Sequence, residues 1–117
     1  MPAAAKLLKA RGRATRREAG TMNQTEARYA NHLDDLKTLG HVLDYWFEPM
    51  GLRLAKKTTY NFDFLVMMAD RSLEVHEVKG FWEDHSRVKF KVAADKFPFL
   101  QFVAVTRKKG EWIEERL

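Results

Sequence analysis

Residues 60–80, YNFDFLVMMADRSLEVHEVKG, contain two strand-like runs that each carry charge where a buried strand should carry none. Residues 60–68 are almost wholly apolar and aromatic, as in a central strand, yet Asp63 lies among them. Residues 73–79 alternate like a second strand. In it Glu77 and Lys79, two positions apart, project from one face about 6.7 Å from each other. Residues 69–72 supply the turn. If Ala69, Asp70 and Arg71 form the loop, Asp63 falls opposite Glu77, Leu65 opposite Val75 and Met67 opposite Leu73. A one-residue slip would send Asp63 to the other face. The favoured register therefore sets two carboxylates side by side. They repel and lose hydration unless a cation sits between them.

Oxygen-only ligands suit a hard ion, Mg²⁺ or Mn²⁺, and Lys79 is placed to orient a water or to stabilise charge on a phosphate. Asp63 followed by Glu77-Val78-Lys79 on the next strand resembles the PD-(D/E)XK nuclease superfamily, and within it small phage-encoded endonucleases and Holliday junction resolvases. The likeness covers most of the chain from Asn23 onward; Phe62 stands where the motif often has proline. The resemblance implies an α/β fold with a mixed central β-sheet flanked by helices, the restriction-endonuclease-like core. It also implies Mg²⁺-dependent hydrolysis of DNA phosphodiester bonds. Asp63 and Glu77 become primary metal ligands, the Val78 carbonyl a further one, and Lys79 the group that positions the attacking water. Related nucleases often add an acidic ligand from the first helix, here Glu26. The spacing of Asn23 and Glu26 equally fits a helix capping box, and both readings stand. Branched DNA is the implied substrate and a homodimer the implied state, since junction cleavage needs two active sites. The alternatives are a general or restriction-like phage nuclease and a non-catalytic DNA-binding protein that retains the fold.

The net charge of +5 is unevenly distributed. Residues 1–22 contain six Lys or Arg and one Glu, so residues 23–117 are balanced. The expected organisation is a basic, flexible arm at 1–22 ahead of a single nuclease domain at 23–117. Arg11, Arg13, Arg16 and Arg17 in the arm are candidate phosphate contacts, and the same composition also describes a solvated tail. The absence of cysteine excludes disulfides and thiolate metal sites. No apolar run has the length of a membrane span, so the expected setting is cytoplasmic, that of the host cell if the chain is phage-encoded.

Residues 23–40 read as a helix with Asn23 as N-cap, Gly40 as stop and Tyr29, Ala30, Leu33, Leu36 and Leu39 as its apolar face. Residues 42–48 and 52–57 read as a hairpin around Pro49-Met50-Gly51. A second helix is expected over 83–97, with Val88, Val92, Ala93 and Phe97 inward. Its Arg87, Lys89 and Lys91 are candidate DNA contacts, Arg87 and Lys91 sharing one face. Strands at 99–106 and 111–117 complete the pattern. Parity turns Glu74 and His76 away from Glu77; His85 is expected near the cleft as a loop histidine, and Glu48, at a strand end, reads as a solvated or ion-paired carboxylate rather than a metal ligand.

Overall fold

The computed structural model describes residues 20–117. The arm arginines Arg11, Arg13, Arg16 and Arg17 lie outside the described residues. Helix α1 (Gln24–Leu39) begins at a complete capping box. The Asn23 side chain accepts from the Glu26 amide at 2.8 Å, and the Glu26 carboxylate accepts from the Asn23 amide at 2.9 Å. Met22, just before the cap, is fully buried in the same apolar cluster as Ala27, which staples the helix entry. The folded part therefore starts ahead of Asn23. At the far end Gly40 adopts φ +86°, donating to Lys37 while His41 donates to Leu36, a Schellman closure. A Cβ on Gly40 would meet no atom within 4 Å, so the cost of Gly40→Ala is that of the left-handed backbone alone. Denaturant titration of this variant should show a loss of about 1 kcal/mol. Leu39, expected on the apolar face, is exposed.

Five strands form the main sheet in the order β1 (Val42–Phe47), β4 (Phe64–Met68), β5 (Leu73–Lys79), β6 (Gln101–Lys108), β7 (Glu111–Arg116). Only β5 and β6 run parallel, joined over the sheet by α2 (Asp84–Lys96), so the sheet is mixed and the fold α/β. Helix α1 covers one face, closing a core of Tyr29, Leu33, Tyr45, Phe64, Val66, Val78, Val103 and Val105. The other face meets α2 and a separate two-stranded sheet of β2 (Gly51–Ala55) and β3 (Thr58–Asn61), around Leu54, Tyr60, Phe62, Val75, Phe90 and Phe102. No helix among the described residues is long and apolar enough to cross a membrane.

Three local expectations are corrected. The strand at 42–47 does not pair with its neighbour in sequence: β1 pairs with β4, while β2 pairs with β3 through a two-residue turn at Lys56-Lys57. Residues 60–68 are not one strand. β3 ends at Asn61, and Phe62 and Asp63 carry the chain from the small sheet into the large one. Finally, α2 turns Phe90 and Ala93 inward and leaves Val88 and Val92 exposed.

Candidate functional site

The loop between β4 and β5 holds the three residues Ala69, Asp70 and Arg71. The Met68 amide donates to the Ser72 carbonyl at 2.9 Å, and Leu65 pairs with Val75 and Met67 with Leu73. Arg71 takes the left-handed position of the turn at φ +73°, and Asp70 accepts from the Ser72 amide and hydroxyl. This odd loop brings Asp63 and Glu77 together. The Asp63 amide donates to Glu77 Oε1 at 3.2 Å, and Asp63 Oδ2 accepts from the Val78 amide at 2.8 Å.

Both carboxyls are buried. Burial, then the charges of Glu77 and Glu26, raise Asp63 well above the usual carboxylate range, against the Val78 amide and the Lys79 ammonium. Burial also raises Glu77, against Lys79, the Tyr60 hydroxyl and the Asp63 amide. Lys79 Nζ lies 3.3 Å from Glu77 Oε2. Burial pulls its pKa down, but the charges of Glu77, Asp63 and Glu26 outweigh this and raise it, so Lys79 stays an ammonium.

Tyr60 belongs to the site although its sequence position concealed it. Its hydroxyl donates to Glu77 Oε1 at 2.7 Å. Burial and the Glu77 charge raise the phenol's pKa, keeping it a donor. In an unbroken strand Tyr60 and Asp63 would face opposite ways; the bend at Phe62 and Asp63 brings both to Glu77. Residues 60–64 alternate apolar and polar without a break, so the sequence held no signal for this bend.

Glu26 serves as the capping-box residue of α1. One carboxylate oxygen is committed to the cap, yet its charge is felt at Asp63 and Lys79. Val78 reaches the site through its amide, which holds Asp63. Glu48 turns its side chain to the Gly20 amide at 3.0 Å, while its own amide donates to the Asp63 carbonyl at 2.7 Å.

A cleft of about 260 Å³ opens beside Glu77, lined by Tyr60, Asn61, His85, Ser86 and Lys89. The α2 face on this cleft is thus that of His85 and Lys89, not that of Arg87 and Lys91. Positions 87 and 91 lie roughly 160° around the helix from 89. Arg87 holds Glu115 through bonds of 2.9 and 3.0 Å and stacks over Trp82, and Lys91 lines a different groove. Lys89 donates to the Thr59 carbonyl at 3.2 Å at the cleft edge.

Glu74 and His76 point to the opposite face, under α1, as parity requires. His76 is hydrogen-bonded through Nδ1 to the Tyr29 hydroxyl and through Nε2 to Glu74 at 2.8 Å, and Arg116 holds the other Glu74 oxygen at 3.0 Å.

The donor set fits a hard divalent cation. Asp63 Oδ1 accepts no hydrogen bond among the described residues, and the repulsion within the buried pair is what a cation relieves. Among the described residues no three Asp, Glu or His side chains gather closely enough to enclose an ion. A cation here would rest on two carboxylates and keep several waters, as Mg²⁺ commonly does. No family model, curated protein or solved structure matches the chain.

Proposed function

We propose that the chain is a PD-(D/E)XK-type endonuclease with a restriction-endonuclease-like core, hydrolysing DNA phosphodiester bonds with Mg²⁺ or Mn²⁺ and selecting branched DNA. The observation that carries this reading is the buried pair Asp63–Glu77, held in mutual repulsion with Lys79 beside it at the rim of a cleft. A structural role alone gives no reason to bury two carboxylates together. A bound divalent cation would lower the pKa of water and offset charge on the phosphorus centre.

The protein's own groups then divide the work. The Val78 amide fixes the Asp63 carboxylate, and the Tyr60 hydroxyl with the Asp63 amide fixes that of Glu77, so both are oriented before substrate arrives. Lys79 supplies an ammonium able to hold the attacking water or a non-bridging phosphate oxygen. Lys89 at the cleft edge suits the DNA backbone. In the reaction a P–O bond to water oxygen forms, the bond to the leaving sugar oxygen breaks, and that oxygen takes a proton. Selection of branched DNA rests on the absence of an obvious sequence-reading helix among the described residues, which a shape-reading enzyme does not need.

Labelled four-way junction and matching linear duplex should be compared with Mg²⁺, with Mn²⁺ and with EDTA. Metal-dependent cleavage favouring the junction is expected. No cleavage with either metal, or cleavage unaffected by EDTA, removes the reading; equal cleavage of both substrates removes only the branched-DNA part. Lys79→Ala should lower turnover by about 100-fold or more and leave DNA affinity within about twofold. Loss of affinity in step with rate would make Lys79 a phosphate anchor.

A further inference from the structure

We propose that the groove between α1 and the β6–β7 hairpin binds an unpaired nucleotide, its phosphate held by guanidinium groups and its base laid against the stacked Arg107 and Trp112. The groove has a volume of about 490 Å³ and is lined by Arg28, Asn31, His32, Asp35, Arg107 and Trp112. That size suits a small ligand, and it admits one base but not a base pair. The four helix residues fall at i, i+3, i+4 and i+7, so α1 presents them on one face. Arg107 and Trp112 are register partners across β6 and β7 and share a face of the sheet. The Tyr29 ring meets Trp112 edge-on at 5.0 Å and fixes the indole, and the Arg107 guanidinium lies over that indole at 4.6 Å.

The charges in this groove are unmatched. Among the described residues neither Arg28 nor Arg107 makes a hydrogen bond or an ion pair, whereas Arg87 and Arg116 are each held by a carboxylate. Glu114 on β7 is taken by Arg116 at 3.2 Å, which leaves Asp35 as the one carboxylate in the lining. Two free guanidiniums suit a phosphate, whose oxygens match their fork of N–H donors. Asp35 would repel a bare inorganic anion, so its presence selects a ligand that also carries N–H groups. A base supplies them, since Asn31 and Asp35 can pair with its amino and ring edge, and a guanidinium plane is a surface on which unpaired bases stack.

Such a nucleotide comes either from a DNA strand or free in solution, and the position of the groove favours the strand. Thr106 is the register partner of Lys79, and Arg107 follows it. The Cα atoms of Lys79 and Arg107 therefore lie roughly 6 Å apart, their side chains on opposite faces of the same end of the sheet. The assignment to a strand rests on the proposed cleavage of DNA; nucleotide binding itself does not.

Titration of the ¹⁵N-labelled full chain in EDTA, where metal-dependent cleavage is blocked, tests binding apart from catalysis. The nucleotide dAMP and a single-stranded deoxytetranucleotide should each shift the Trp112 indole N–H saturably. Inorganic phosphate, which lacks a base to stack, should bind at least about 10-fold more weakly than dAMP. Arg28→Ala and Arg107→Ala, both exposed side chains, should each weaken dAMP binding by about 10-fold or more. Tighter binding of the tetranucleotide than of dAMP assigns the groove to a strand, and the reverse assigns it to a free nucleotide. No saturable shift with either, phosphate binding as tightly as dAMP, or binding that survives both substitutions, as it would if residues 1–19 carried it, overturns the proposal.

Discussion

Asp63→Asn is expected to abolish cleavage, by about 1,000-fold or more, while raising the melting temperature of the metal-free protein by a few degrees. The amide retains an acceptor for the Val78 amide, the one hydrogen bond that the Asp63 carboxylate makes among the described residues. It also removes a charge that burial and Glu77 disfavour. The pH dependence follows from the raised pKa. A carboxyl whose folded value lies above its ordinary 3.8 stabilises the fold fully below that value, and this contribution fades as pH rises through the folded value. The stability gap between variant and wild type should therefore open upward from about pH 4. Mg²⁺ should narrow it by stabilising the wild type and not the variant. Calorimetry across pH, with and without metal, measures all three effects. A variant that melts below wild type at neutral pH and still cleaves would falsify the metal-site reading, because Asp63 would then be a structural anchor.

Glu74→Ala should be the most damaging single truncation on the opposite face, with a loss of about 2–3 kcal/mol, or roughly 10 °C in melting temperature. Glu74 is buried between His76 and Arg116, so its removal strands both partners, and His76 in turn holds the Tyr29 hydroxyl against α1. Burial alone would raise the Glu74 carboxyl; the His76 and Arg116 hydrogen bonds more than offset this and lower it below its ordinary 4.5. A depressed carboxylate stabilises the fold above its unfolded value and loses that contribution as pH falls through the folded one. The difference between wild type and variant should thus be full at neutral pH and shrink below about pH 4.5, opposite in sense to Asp63. Denaturant titrations at neutral and acid pH test this. A loss below about 0.5 kcal/mol would mean that solvent already satisfies these groups.

Local sequence determined those features whose physics is local. The ends of α1 follow from Asn23, Glu26 and Gly40 within a few residues of each other, because caps satisfy the backbone groups nearest to them. The meeting of Asp63 with Glu77 follows from the period-two alternation of strands and from the count of loop residues, both settled between residues 63 and 77. The separation of Glu77 from His76 has the same origin.

Tertiary structure decided every choice between equivalent partners. Residues 42–47 are apolar enough to pair with any strand, and nothing within them names β4 rather than β2. The Lys56-Lys57 turn lacks the Gly or Asn that usually marks a two-residue hairpin, so the β2–β3 sheet was hidden. α2 carries two apolar stripes, one through Val88 and Val92 and one through Phe90 and Ala93. The core selects the second because Phe102 of the large sheet and Tyr60 of the small one receive the Phe90 ring edge-on. The same choice puts Lys89 rather than Arg87 on the cleft. Tyr60 joins Glu77 only because the chain bends between two sheets just before Asp63, and Glu26 acts on Asp63 only because α1 starts near that bend. Periodicity shows which faces a segment can bury; which one it does bury depends on surfaces distant in sequence, whose burial supplies the free energy.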